Sequence, residues 1–240
     1  MGLKEFSNEF KKYLNEIDLT LNDEKIEKFY KYMNLIVEWN EKINLTAITE
    51  QKEMIIKHFI DSLSIVKNIT SGSKVIDVGT GAGFPGIPLK IYDESIKITL
   101  LDSLNKRINF LNEVASQLDF NDGIEIIHAR AEEMAQNPKY RAGYDYAVSR
   151  AVAPLNILLE YLIPYTKLNG HVIAMKGSNA DEEIEIAKNA LKELGSNVVE
   201  KNKFVLPEDA GERYIIIVEK QENTKKRYPR KAGIPKKEPL

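Results

Sequence analysis

Between Val75 and Pro88 the chain reads Val-Ile-Asp-Val-Gly-Thr-Gly-Ala-Gly-Phe-Pro-Gly-Ile-Pro, the segment of the sequence richest in chemical content. A β-favouring run stops at Val78. Glycines at 79, 81, 83 and 86 then let the backbone turn and approach a ligand without Cβ clashes. Pro88 suits the first turn of a following helix, where its missing N–H costs nothing. Gly81-Ala-Gly-Phe-Pro-Gly86 also satisfies the dinucleotide-binding pattern, which alone is weakly specific. Two features speak against a dinucleotide. Asp77 is expected to aim a carboxylate at the place a pyrophosphate would take, and 240 residues leave no separate substrate domain. A cationic ligand suits this loop better than a diphosphate.

Asp102 closes the next β-rich run, where folds of this kind hold both hydroxyls of a ribose; helix capping is its competing role. Ala131 and Glu132 follow the third run and could cradle an adenine. The fourth ends at Ser149-Arg150 and the fifth at Lys176-Gly177. In a parallel sheet these strand ends share one edge, the edge at which ligands bind. Asp77, Asp102, Glu132, Arg150 and Lys176 are therefore expected to converge.

The elements that must position them fall into three stretches. Residues 1–70 read as helical: Phe6, Phe10, Tyr13, Leu14 and Ile17 share one face, as do Ile26, Phe29, Tyr30, Met33, Ile36 and Val37. Asn22 is placed to cap the second helix, with Asp23 and Glu24 in its first turn. A third helical pattern runs from about Lys57 to Lys67. From Ser73 the period changes to five short strands, Lys74–Val78, Ile96–Asp102, Ile124–Ala129, Tyr144–Ser149 and His171–Lys176. Helical patterns lie between them, clearest at Asn105–Leu118, Pro154–Thr166 and Asp181–Leu194. Such alternation predicts right-handed crossovers and a mostly parallel sheet covered on both faces. Two last strands, about Val198–Leu206 and Arg213–Glu219, are joined by a loop too short for a crossover. One of them must run antiparallel.

Apolar residues are 43% of the chain and charged residues 29%, the balance of a globule with a full core. The longest apolar run, Tyr214 to Val218, falls far short of the ~20 residues of a membrane span. Neither a signal peptide nor a myristoylation site is recognisable, so a cytoplasmic location is expected. The absence of cysteine excludes disulfides, thiolate metal sites and cysteine nucleophiles. Net charge is −2 but unevenly spread: residues 220–240 carry eight Lys or Arg against two Glu. An acidic body with a basic tail points to a local contact with an anionic partner, or to a tail kept for solubility.

The order Asp77-x-Gly79-x-Gly81-x-Gly83 followed by Asp102 resembles the class I S-adenosylmethionine-dependent methyltransferases. More narrowly, the chain resembles the ribosomal RNA small subunit methyltransferase G family, also called the glucose-inhibited division protein B family. The stretches that carry this are Asn44-Leu-Thr46, His58-Phe-Ile-Asp-Ser-Leu63, Asp77 to Pro88, Ser149-Arg-Ala-Val-Ala153, Lys176-Gly177 and Tyr228-Pro-Arg-Lys-Ala-Gly-Ile-Pro235. The resemblance implies an α/β, Rossmann-like class I methyltransferase fold. Its seven-stranded, mostly parallel sheet would end in an antiparallel hairpin and carry an N-terminal helical subdomain. Three units are expected: a helical subdomain at 1–70, a cofactor domain at 71–219 and a basic tail at 220–240. The resemblance further implies methylation of N7 of a guanine in the 530 loop of 16S ribosomal RNA, with S-adenosylmethionine contacts at Gly79, Phe84, Ala131, Glu132 and Arg150.

The residue inventory agrees with that chemistry. A sulfonium methyl is already electrophilic, so the enzyme has mainly to align a nucleophile. Guanine N7 has no proton to lose, and the covalent route to C5 of pyrimidines needs a cysteine. Exocyclic-amine enzymes of this fold usually carry Asn or Asp before Pro-Pro and an aromatic, where this chain has Ser149-Arg-Ala-Val152. Arg150, Lys176, His58 and Asp61 are candidates for positioning base or RNA. For His58, Asp61 and Ser62 the competing role is a polar tie between the helical region and the sheet. No metal site is expected; His128, His171 and Trp39 read as structural. Lys225, Lys226, Arg227, Tyr228, Arg230, Lys231, Lys236 and Lys237 are candidate RNA contacts, Tyr228 as a stacking ring. The prolines predict a tail that orders only on docking against RNA or the domain, and cofactor binding is expected to survive its removal. A nicotinamide-dependent oxidoreductase and a non-catalytic ribosome-assembly factor are the alternatives.

Overall fold

The computed structural model describes residues 1–120, 122–150 and 152–240. Helix α1 (Leu3–Glu16) buries Phe6, Phe10, Tyr13 and Leu14. Helix α2 (Asp23–Ile43) begins where the Asn22 side chain accepts from the Lys25 amide at 2.9 Å. It ends at Asn44 in the left-handed conformation, φ 50°. Its inward stripe is Ile26, Phe29, Tyr32, Met33 and Ile36. The third helical run starts earlier than the pattern from Lys57 predicts, because the Glu50 carboxylate caps it through the Glu53 amide at 2.6 Å. It comprises α3 (Gln51–Met54), a π-helical turn at Ile55–Ile60 and α4 (Asp61–Leu63), and a 3-10 turn at Val66–Asn68 follows.

The sheet contains β1 (Lys74–Val78), β2 (Lys97–Asp102), β3 (Ile124–His128), β4 (Tyr144–Arg150), β5 (Thr166–Lys176), β6 (Ser196–Val205) and β7 (Glu212–Lys220). Their spatial order is β3-β2-β1-β4-β5-β7-β6. The first five are parallel, and β7 runs antiparallel to both β5 and β6. The chain crosses over with α5 (Gly86–Tyr92), α6 (Asn105–Gln117), α7 (Ala131–Met134), α8 (Leu155–Leu162), α9 (Ala180–Ile186) and α10 (Lys188–Leu194), and closes on one short helix, α11 (Ile234–Lys237). Two expected helices are shorter than their patterns. Helix α8 passes into a 3-10 turn at Ile163–Tyr165, where Pro164 cannot donate, so β5 begins at Thr166 instead of His171. The 181–194 pattern is divided at Ala187 into α9 and α10.

Strand alternation assigns the two faces. Val75, Leu100, Val148, Ile173 and Ile215 pack beneath α1, α2 and the third helical run. Ile76, Val78, Leu101, Ala147 and Val172 pack against α8 and α10. Asp77 shares the parity of Val75 and therefore points under the helical layer. The strand order reverses between β2 and β4 on either side of β1, which opens the crevice at their C-terminal ends. Among the described residues, no helix is long and apolar enough to cross a membrane.

Candidate active site

The loop after β1 is tied down from three sides. Gly79 and Thr80 donate their amides to the Leu101 carbonyl at 2.8 and 3.1 Å. From the helical layer, Tyr32 Oη donates to the Ala82 carbonyl at 2.5 Å. At Gly83, φ +102°, a Cβ would sit 2.8 Å from that Tyr32 oxygen and 2.6 Å from Ile87. Only glycine fits there without displacing the clamp. Tyr32 lies at helical spacing within the α2 stripe yet escapes the sequence reading of that face.

Asp77 holds the loop from below. Its Oδ2 accepts from Thr80 Oγ1 at 2.6 Å and from the Gly86 amide at 2.8 Å, and the residue is fully buried. Burial pushes its carboxyl up to about 7, against the opposing hydrogen bonds from Thr80 and Gly86. The expectation that Asp77 faces a ligand is therefore corrected: it braces the turn and does not line the cavity.

A cavity of about 510 Å³ opens above the loop, within the ~300–1,000 Å³ usual for small-molecule sites. Gly79, Gly81, Phe84, Asp102, Ala131, Glu132 and Arg150 line it, joined by Thr46, His58, Arg107, Arg130, Val152 and Tyr161. Asp102 Oδ1 accepts from the Leu104 amide at 2.9 Å. Its Oδ2 accepts from the Gly81 amide at 3.0 Å and Arg107 Nη1 at 3.1 Å. Across the cavity, Glu132 is buried but for 8% of its surface, and its Oε1 accepts from the Gly233 amide at 3.0 Å.

Arg150 is fixed by four neighbours. Its Nη1 donates to the Lys57 carbonyl at 3.0 Å and Asp61 Oδ2 at 3.1 Å, and Nη2 donates to His58 Nδ1 at 3.1 Å. The guanidinium lies 4.8 Å from the Phe84 ring centroid, and His58 stacks on the same ring at 4.4 Å. His58 Nδ1 also lies 3.2 Å from the Lys57 carbonyl, and Nε2 lies 2.9 Å from Thr46 Oγ1, so both ring nitrogens are engaged. Burial and the Arg150 charge push the imidazole down to about 3, so it is neutral near pH 7. Asp61 is 2% exposed, and its second oxygen lies 3.3 Å from Arg213 Nε on β7. Burial raises its carboxyl, and the two arginines oppose that rise. Asp61 thus ties the helical layer to two strands, while His58 reaches the cavity.

Of the five residues expected to converge, Asp102, Glu132 and Arg150 do. Lys176 does not: its Nζ is held by the Ala153 carbonyl at 2.5 Å and Glu183 Oε2 at 2.7 Å, away from the cavity. Its charge is spent on Glu183.

The tail folds back on the domain. The fully buried Glu160 takes the Arg230 amide at 2.8 Å, Nε at 2.9 Å and Nη2 at 2.6 Å. Glu193 takes Arg227 at 2.6 Å, Lys225 at 3.2 Å and the Tyr228 hydroxyl at 3.0 Å. Arg141 and Gln136 donate to carbonyls of Tyr228 and Pro229. The Tyr228 ring is 4% exposed, which corrects its expected role as a stacking platform, and Arg230 is likewise committed within the fold. Lys226, Lys231, Lys236 and Lys237 are exposed and form no ion pair among the described residues. The Gly233–Glu132 bond also links the tail to the cavity wall. Among the described residues, no cluster of His, Asp and Glu could hold a metal ion.

Comparison with known proteins agrees with this geometry. Residues 25–210 match the family described as rRNA small subunit methyltransferase G (GidB). A ribosomal RNA small subunit methyltransferase G from Clostridium botulinum (strain Loch Maree / Type A3) is 49% identical over 98% of this chain and 99% of its own. A protein of the same name from Thermoanaerobacter sp. (strain X514) is 51% identical over 90% of each chain. Among solved structures, a SAM-dependent methyltransferase from Aquifex aeolicus superposes with a TM-score of 0.51 at 18% identity, over 67% of this chain and 89% of its own. The ribosomal protein L11 methylase of Lactobacillus delbrueckii subsp. bulgaricus also gives 0.51, at 19% identity over 69% and 79%. These two likenesses show the fold. With one profile spanning most of the sequence and relatives near half identity along its length, the chain belongs to the rRNA small subunit methyltransferase G family.

Proposed function

We propose that this protein transfers the methyl group of S-adenosylmethionine to N7 of a guanine in the 530 loop of 16S ribosomal RNA. The observation that carries the reading is the pair of carboxylates, Asp102 and Glu132, lining one cavity with the glycine loop. Asp102 Oδ1 has one donor and Glu132 Oε2 has none among the described residues, so both can accept from ribose hydroxyls or an adenine amino group. Those acceptors fit the cofactor. A neutral, fully engaged His58 fits a nucleophile that has no proton to lose. Arg150, anchored by Asp61, is positioned to orient the cofactor or the base. When bound, S-adenosylmethionine supplies an electrophilic methyl; the protein aligns it and excludes water.

We read residues 1–70 as the layer that clamps the loop, 71–219 as the cofactor domain and 220–240 as the tail. The unpaired Lys226, Lys231, Lys236 and Lys237 are read as RNA phosphate contacts. A ribosomal RNA substrate carries with it a cytoplasmic location. The test is transfer of labelled methyl to 16S RNA bearing 7-deazaguanine at the target. That RNA should bind and accept no methyl, and efficient methylation would refute the N7 assignment. A thermal shift with a nicotinamide dinucleotide and none with S-adenosylhomocysteine would instead favour an oxidoreductase. RNA binding without transfer to the natural target would favour an assembly factor.

A further inference from the structure

We propose that the C-terminal segment from Gly233 is a strap that sets the orientation of the Glu132 carboxylate, so that affinity in the cavity depends on a main-chain amide 101 residues away. The inference rests on the reading that the cavity binds S-adenosylmethionine. Glu132 lines the cavity and pairs with no Lys or Arg among the described residues. Its one hydrogen bond there is the 3.0 Å contact to the Gly233 amide, through Oε1. That amide fixes one oxygen and leaves Oε2 to a ligand.

The strap is anchored on both sides of this contact. Upstream, Arg230 is clamped by buried Glu160, the neighbour of the cavity residue Tyr161, and Gln136 donates to the Pro229 carbonyl at 2.8 Å. Downstream, the Gly233 carbonyl accepts from the Lys237 amide at 3.1 Å, and Pro235 is buried. Gly233 itself sits at φ +85°, where glycine is favoured, so the turn aims its N–H at Glu132. An amide N–H can meet only an acceptor. The strap is therefore selective about which atom of residue 132 faces it.

That selectivity gives a test with a reversed sign. S-Adenosylhomocysteine is the calorimetric probe, against the full chain, a chain ending at Pro235 and a chain ending at Ala232. The chain ending at Pro235 keeps the amide and should bind within about twofold of the full chain, as expected when no hydrogen bond to Glu132 is lost. Ending at Ala232 should weaken binding about 10-fold, the scale of one charge-assisted hydrogen bond. Relative to the chain ending at Pro235, which lacks Lys236 and Lys237 as well, it should raise KM for S-adenosylmethionine. In the full chain Glu132→Gln should bind no better than Glu132→Ala, because Gly233 takes the amide oxygen and leaves an NH2 group facing the ligand. In the chain ending at Ala232 that glutamine is free to turn, so truncation should strengthen the Glu132→Gln variant while it weakens the parent. Truncation acting in the same direction in both backgrounds overturns the strap alone. Should the shortened chain not fold, Glu132→Gln keeping parental affinity in the full chain overturns it as well. Failure of the unmodified chain to bind the probe overturns the cofactor reading itself, and the strap with it.

Discussion

The wall of the cavity built by the helical layer and the wall built by α7 and α8, braced by the tail, are held in different ways. On the helical side, Arg150, His58, Asp61, Phe84 and Thr46 hold one another through short contacts within a buried network. On the other side, Glu132 relies on a single amide from the far end of the chain. The first arrangement fixes the place of its charge before a ligand arrives. The second leaves an acceptor open and makes its aim depend on a remote segment. A rigid cation and an adjustable acceptor thus face each other across one cavity.

The largest effect expected from breaking this contrast is at Asp61. Asp61→Ala leaves Arg150 and Arg213 without their shared counter-charge and should cost about 3–5 kcal/mol of stability, read from urea melts. A loss below about 1 kcal/mol would mean that these ion pairs contribute no more than solvent-exposed ones. Asp102→Ala tests the cavity floor. It should weaken S-adenosylmethionine about 10- to 100-fold by calorimetry with the fold intact, and unchanged affinity would remove Asp102 from the site.

Asp77 gives a smaller, pH-dependent effect. Its folded carboxyl titrates near 7, against an ordinary value of 3.8. Between those values the unfolded chain has released a proton that the folded chain keeps, so this group's contribution falls as pH rises through the window. Relative to Asp77→Asn, the parent should lose up to ~1.4 kcal/mol per pH unit there. Parallel melting profiles for the two proteins from pH 4 to 7 would contradict it. The smallest effect belongs to the tail. Exchanging Lys226, Lys231, Lys236 and Lys237 for Gln should reduce the salt slope of RNA binding by ~3, at ~0.7 per phosphate contact. Exchanging Lys225 and Arg227, both held by Glu193, should change it less. Equal slopes for the two sets would show that ion pairing within the fold does not decide which cations meet RNA.

What could be read from the sequence was whatever has a local signature. The parallel strands, the Asn22 cap, the glycine loop and the antiparallel turn at the end all follow from period, punctuation and spacing. Asp102, Glu132 and Arg150 were found because strand ends in a parallel sheet share an edge. Asp77 and Lys176 satisfy the same rule and miss the cavity: one has the parity of the buried face, and the other meets Glu183 on α9. The clamps were illegible. Tyr32 to Ala82, Arg213 to Asp61 and Gly233 to Glu132 join residues far apart in the chain, and no periodicity records such pairs. The tail's basic composition was plain, but Glu160 and Glu193 could not be assigned to it without the fold.

Strand β7 lies between β5 and β6, although it is made last. Strand β6 pairs with β7 and with no other strand, so it has no place in the sheet until residues 212–220 have left the ribosome. The segment that reaches Glu132 emerges later still. During synthesis the sheet therefore closes from its middle outward, and the contact at Glu132 can form only after every strand has emerged. A chain cut between Arg230 and Gly233 keeps every strand and the Arg230–Glu160 clamp yet lacks the amide that meets Glu132. On the strap proposed above, such a fragment has its sheet but not its full affinity for cofactor, so the order of translation places binding after folding.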